Sequence, residues 1–330
     1  MVLDLVQNET ATRKFLDSMR RMLLTDSSRL NKLANGLLNV PAYHDFARIE
    51  AISASAALVI ASQYQRAKHG LNGIDNELFA IDVHRWNPTV RRWFDVLGIF
   101  DILGISGQVP NTTGRIDGHT LFLPILSGQM ANEADLERLD KALIELAEFA
   151  TEARAEESDV LSAILTDMSE GIINVSQWAY PEEHPFEVQP LKRWWMTGHA
   201  DRSKRELSFT LYDQGATIPK TIPAKQSDEK FVNAFKTMVA KYGSLGMKDD
   251  GHLIAVSLNP GSSGTKEAHR GFGLQRMAET IDALPDGELR IWSRYGSVLR
   301  ERGGRVVTSH CPPSIGGTLV EWRFALGNDA

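Results

Sequence analysis

The chain of 330 residues contains a single cysteine, Cys311, so an internal disulfide is excluded and no cysteine set exists to hold a metal. Long hydrophobic runs are also missing. The longest, Ala51 to Ala61, falls far short of the roughly 20 residues a spanning helix needs. The start, Met1-Val2-Leu3-Asp4-Leu5, lacks the basic flank and cleavage site of a secretory signal, and together with the lone thiol this leads us to expect a cytoplasmic protein. Positive charge is not in excess: 36 Lys and Arg stand against 42 Asp and Glu, a net charge of −6, which argues against a general nucleic-acid surface. No internal repeat or low-complexity tract interrupts the chain, and neither a Gly-x-Gly-x-x-Gly fingerprint nor a Gly-Lys-Ser/Thr phosphate loop occurs.

The hydrophobic share of 42% is ample for two cores, and the length predicts two domains. The stretch Gly104 to Gly118 is poor in large apolar residues and breaks both periodicities, which places a boundary there. Ahead of it the pattern predicts a helical segment over Thr10–Leu38. Short strands and helices then alternate: a strand over Phe46–Ile52, a helix over Ser55–His69, a strand near Phe79–Val83 and a helix over Pro88–Leu97. The expected organisation is a helical segment at 1–38, an α/β domain at 39–117 and a second domain at 118–330. Apolar stripes over Thr10–Leu38 and Asn132–Glu157 could support a homodimer or pack on their own domain.

Three segments of the second domain carry chemistry-bearing residues. Val160, Leu161, Ile164, Leu165, Met168, Ile172 and Val175 recur at helical spacing, which puts Glu170 and Asn174, four apart, on one face. An acid and an amide oxygen so placed can converge on one magnesium ion and one water; the alternative is a solvated polar face. A strand-like run, Glu206–Tyr212, leads into Asp213-Gln214-Gly215-Ala216-Thr217-Ile218-Pro219, where a carboxylate at a strand end could accept from an exocyclic amine beside a close-approaching Gly215. Arg270-Gly271-Phe272-Gly273-Leu274 opens an amphipathic helix whose start suits an anion. Between these turns, Lys220 to Arg270 begins with helical spacing and ends in Asn259-Pro260-Gly261-Ser262-Ser263-Gly264-Thr265-Lys266, a composition typical of lids. His252 is read as a strand start, and one of Trp194 and Trp195 is expected to be exposed.

Taken in chain order with Gly316-Gly317-Thr318, these segments resemble the boxes of the GHKL ATPase superfamily, which includes gyrase, histidine kinases and anti-sigma-factor kinases, over roughly residues 118 to 328. The resemblance implies a two-layer α/β sandwich that binds ATP and Mg2+. On that basis Asn174 holds magnesium, Glu170 positions or deprotonates the attacking group, Asp213 reads the adenine amine and Gly215 shapes the adenine pocket beside Ile218. Gly271 and Gly273, flanked by Phe272 and Leu274, cradle phosphates, Lys266 and Arg270 reach them when the lid closes, and Thr318 lies near Asp213. Ser169-Glu170 through Trp178-Ala179-Tyr180 is closest to the anti-sigma-factor Ser/Thr kinases, with Trp178 where that subfamily usually has His. A His-Glu/Asp-x-x-x-Pro acceptor of a histidine kinase is missing; His44-Asp45-Phe46-Ala47-Arg48-Ile49 lacks the proline.

The preceding domain is similar, by pattern, to STAS domains of anti-sigma-factor antagonists. Ile52-Ser53-Ala54-Ser55-Ala56-Ala57-Leu58 stands where such domains often read Ile-Asp-Ser-Ser-Gly-Leu, which aligns Ser55 with their phosphoacceptor, and Arg92–Phe100 resembles their closing helix. The combined expectation is an N-terminal STAS-like α/β domain followed by a GHKL sandwich, acting as a regulatory ATPase or Ser/Thr kinase on a protein partner. The alternative is a nucleotide-gated interaction switch with little turnover.

Overall fold

The computed structural model describes residues 1–25, 46–70, 83–103, 116–129, 133–151, 159–221, 236–237, 240, 249–258, 273–284 and 286–325. The fold is mixed α/β. In the amino-terminal part, β1 (Val2–Leu3) and β2 (Ala51–Ile52) form a short parallel pair, accompanied by α1 (Glu9–Arg20), α2 (Ala54–Gly70), α3 (Pro88–Val96) and α4 (Ile99–Leu103). The main sheet contains β3 (Ile116–Asp117), β4 (Thr120–Gly128), β5 (Trp194–Asp201), β6 (Glu206–Asp213), β7 (Glu288–Ser293), β8 (Gly296–Glu301), β9 (Arg305–His310) and β10 (Thr318–Ala325). Every pairing in it is antiparallel, in the order β3-β4-β5-β6-β10-β7-β8-β9.

Side chains alternate along each strand, so the sheet has two faces, and both are apolar. Trp194, Met196, Leu207, Phe209, Leu211, Val320, Trp322 and Phe324 point to one face. They meet α5 (Glu133–Thr151), α6 (Asp159–Asn174), the short α7 (Ile218–Thr221), α8 (Asp250–Ser257) and α9 (Gly273–Ala283) in one core. Phe122, Trp195, Tyr212, Trp292 and Leu319 point the other way and join a second core built from the amino-terminal helices, including Phe46, Leu58, Phe94 and Phe100. The amino-terminal third is thus the cover of the sheet's second face. Residues 104–115, most of the expected boundary, lie outside the described residues.

Several expected elements appear where periodicity placed them: α2, α3, α6 and β6 follow their predicted spans to within a few residues, and α5 follows the described part of the stripe over Asn132–Glu157, of which residues 152–157 lie outside the described ones. Others differ. The predicted strand over Phe46–Ile52 is a 3-10 turn, Phe46–Arg48, followed by the two-residue β2, because Phe46 is taken into an aromatic cluster with Trp86 and Phe94. The strand expected near Phe79–Val83 falls on residues 79–82, outside the described ones, and Val83 begins a 3-10 turn. Trp194 and Trp195 are both fully buried, one in each core, so neither is exposed. His252 lies inside α8, whose N-cap Asp249 accepts from Gly251 and His252 backbone N–H groups.

One buried arginine ties the layers together. Arg13, wholly inaccessible, pairs with Glu9 and donates to the carbonyls of Arg294, Gly296 and Pro313, so α1 is fastened to the β7–β8 turn. Arg13→Met would leave three carbonyls and a carboxylate without their donor. We expect a loss of about 3–5 kcal/mol, seen as a lower urea midpoint in one cooperative transition; an unchanged midpoint would show that α1 contributes nothing to holding the sheet.

Candidate functional site

The carboxyl ends of β6 and the start of β10 are adjacent, with Asp213 opposite Thr318 and Thr318 opposite Ser293 of β7. By the two-residue period all three face α6 and α9. Ser293 and Thr318 hydroxyls share a 2.9 Å hydrogen bond, and the Ile218 N–H donates to Ser293 Oγ at 2.9 Å, which pins the chain after β6 over the strand ends. Asp213 is buried; Gly215 N–H donates to its Oδ1 at 2.8 Å and the Thr318 backbone supplies another hydrogen bond. Loss of solvation outweighs both and pushes the carboxyl up to about 7.

Above these strand ends lies a pocket that opens to solvent. Asn174, Asp213, Ile218, Leu274 and Thr318, drawn from four separate stretches of sequence, all line it. Leu211, Met277 and Val320 make its floor apolar, and Trp178 forms part of the wall. Trp178, Ser257 and Ser293 were not among the expected site residues. Ser257 and Ser293 sit on elements far along the chain with no motif to mark them, and only the sheet register brings Ser293 to Thr318.

Gly215 and Gly273 are where backbone approach decides the geometry. The Ala216 N–H donates to the Ala179 carbonyl at 2.6 Å, and a Cβ on Gly215 would overlap that same carbonyl. Gly273, the first residue of α9, lies against the Asn174 amide, whose Nδ2 is buried with no hydrogen-bond partner among the described residues. Backbone cannot yield as a side-chain tip can, so Gly215→Ala is expected to cost about 1–3 kcal/mol. A thermal melt would read that loss; a melt identical to the parent would mean that the turn relaxes freely.

Glu170 lies one helical turn before Asn174 and outside the pocket's lining. It forms an ion pair with Arg276 of α9 at 3.5 Å and is about a third exposed. Its neighbour Asp167 is buried against Thr280 of α9 and is pushed up to about 6 by burial. Lys266, Arg270, Gly271 and Phe272, and with them most of the expected lid, lie outside the described residues. Among the described residues no group of three His, Cys, Asp or Glu side chains could hold a metal ion. Ser55, the candidate phosphoacceptor, is 2% exposed, shares a hydrogen bond with Ser53 and faces Glu321 of β10; a modifying enzyme therefore has no access to it in this fold.

No protein-family model matches the chain, and neither a curated protein nor a solved structure is detectably similar to it. No helix among the described residues is long and apolar enough to cross a membrane.

Proposed function

We propose that the chain binds ATP together with Mg2+ in the pocket over the β6 and β10 strand ends, in the manner of a GHKL protein, and acts on a protein partner as an ATPase or Ser/Thr kinase. The observation that carries this reading is the convergence of Asn174, Asp213, Ile218, Leu274 and Thr318 on one cavity. A buried carboxyl beside an apolar floor suits a purine: the floor takes the ring, and the carboxylate accepts from its exocyclic amine. The donor set fits magnesium held jointly by protein and nucleotide, because Asn174 offers an amide oxygen and Mg2+ usually keeps phosphate oxygens and waters as its other ligands; the buried Asn174 Nδ2, a donor without a partner among the described residues, suits a phosphate oxygen. Bound in that way, the nucleotide supplies the phosphoryl group. Glu170 is the residue that would orient or take the proton of the attacking hydroxyl, once drawn from Arg276.

The ion pair between Glu170 and Arg276, with Trp178 in the pocket wall, favours a second reading in which nucleotide binding gates affinity for a partner and turnover is slow. Calorimetric titration with ATP and Mg2+, followed by an assay of ADP release, separates the two. Binding with turnover that disappears in Glu170→Gln supports the enzyme, and binding without turnover supports the switch. Absence of binding would remove both.

A further inference from the structure

A second, roomier cavity opens on the opposite side of the turn that follows Asp213, between the amino-terminal helices and the 184–188 loop. Its walls carry five cations, Arg20, Arg21, Arg66, Lys220 and Arg294, and one acid, Glu187. Asp17 pairs with Arg20 and Arg21, and Asp250 with Arg294, so three acids still leave an excess of two positive charges. The cations crowd one another as well. Arg20 opposes the charge of Arg66, whose guanidinium donates to the Val188 and Gln189 carbonyls, and Lys220 opposes protonation of His184.

The cavity also collects polar atoms left without partners. Gln214 is 2% exposed and lines the wall, yet neither its Nε2 nor its Oε1 makes a hydrogen bond among the described residues. Thr217 Oγ1 and Arg20 Nε, on the same walls, are buried and equally unpartnered. Buried amides and guanidinium nitrogens in that condition cost about 1–3 kcal/mol each, so four in one cavity mark a place shaped for something polar. Phe186 and Val188 add an apolar side.

We propose that this cavity is a binding site for a small phosphorylated molecule, its phosphate held by Arg20, Lys220 and Arg66 and its polar body by Gln214 and Thr217. Several forked donors around one space suit phosphate oxygens. The site is independent of the nucleotide reading, although the two pockets share the turn Gln214–Thr217 as a common wall.

The test is calorimetric titration of the full chain with pyrophosphate, repeated with Asn174→Ala, with Lys220→Gln and with the double variant Arg20→Gln/Lys220→Gln. Melting curves would establish that each variant is folded, and the exposed Lys220 serves if the Arg20 change unfolds the protein. The expected result is saturable binding by the parent and by Asn174→Ala, weakened by about tenfold or more in the charge variants and weakened further by salt. Binding that disappears in Asn174→Ala but survives in the charge variants would place pyrophosphate in the first pocket and overturn the proposal. Absence of binding to the parent at millimolar pyrophosphate would overturn it too.

Discussion

Asp213→Asn is expected to raise the melting temperature at pH 8 while removing measurable ATP binding. The carboxyl ionises near 3.8 when solvated and near 7 in the folded chain. Between those values the folded form keeps a proton that the unfolded form has released. Stability therefore falls as pH rises across that window, by up to about 1.4 kcal/mol per pH unit, and above pH 7 the full cost is present. An asparagine carries no charge to desolvate and still accepts the Gly215 N–H through Oδ1. The gain should be seen at pH 8 and be absent at pH 4. Asp167 and Glu321, pushed up to about 6 and about 7, act in the same direction, so the variant flattens the pH dependence without abolishing it. Binding moves the other way, because the Nδ2 donor would confront the amine that the carboxylate accepts from. A loss of at least about 100-fold is expected, equivalent to 2.7 kcal/mol. Thermal melts at the two pH values and a calorimetric titration check both halves. Unchanged ATP affinity would mean that Asp213 does not read the nucleotide.

A chain beginning at residue 116 is expected to be insoluble. Sequence composition alone predicts that residues 118–330 form a domain, but among the described residues the face of their sheet bearing Phe122, Trp195, Tyr212, Trp292 and Leu319 is covered mainly by the amino-terminal helices. Uncovered, these five side chains would present a patch of roughly 750 Å2, taking about 150 Å2 for each. That exceeds the few hundred Å2 that monomeric proteins usually expose. Sedimentation and dye binding of the expressed fragment would decide the matter, and a soluble, cooperatively melting fragment would show that the second face tolerates water.

The same packing explains what could be read in the sequence. Helices with one apolar stripe, such as α6 and α9, announce themselves by spacing. The strand Trp194-Trp195-Met196-Thr197 does not alternate, because each face of its sheet is covered and both tryptophans are inside. Alternation was the basis for expecting one of them outside, and it fails where a sheet has two cores. His252 follows Asp250-Gly251, which reads as a turn before a strand, whereas in the fold Asp249 caps a helix that contains it. For the first pocket, residues at glycine turns and strand ends stood out. Ser293 did not, since its part in the site depends on the pairing of β7 with β10, a register that no local pattern encodes.

The position of β10 has a consequence for how the molecule is made. This strand follows the other described strands in chain order, yet it lies in the middle of the sheet, hydrogen-bonded to β6 on one side and β7 on the other. A ribosome adding residues at about 5–20 per second therefore extrudes β4, β5 and β6 as one ribbon and β7, β8 and β9 as another. Both ribbons carry an open edge until residue 325 has emerged. Thr318 arrives with that last strand, so the pocket is completed at the moment the two ribbons are joined. Nascent chains shorter than this would expose two pairing edges to the cell, and they are the species on which chaperones would act.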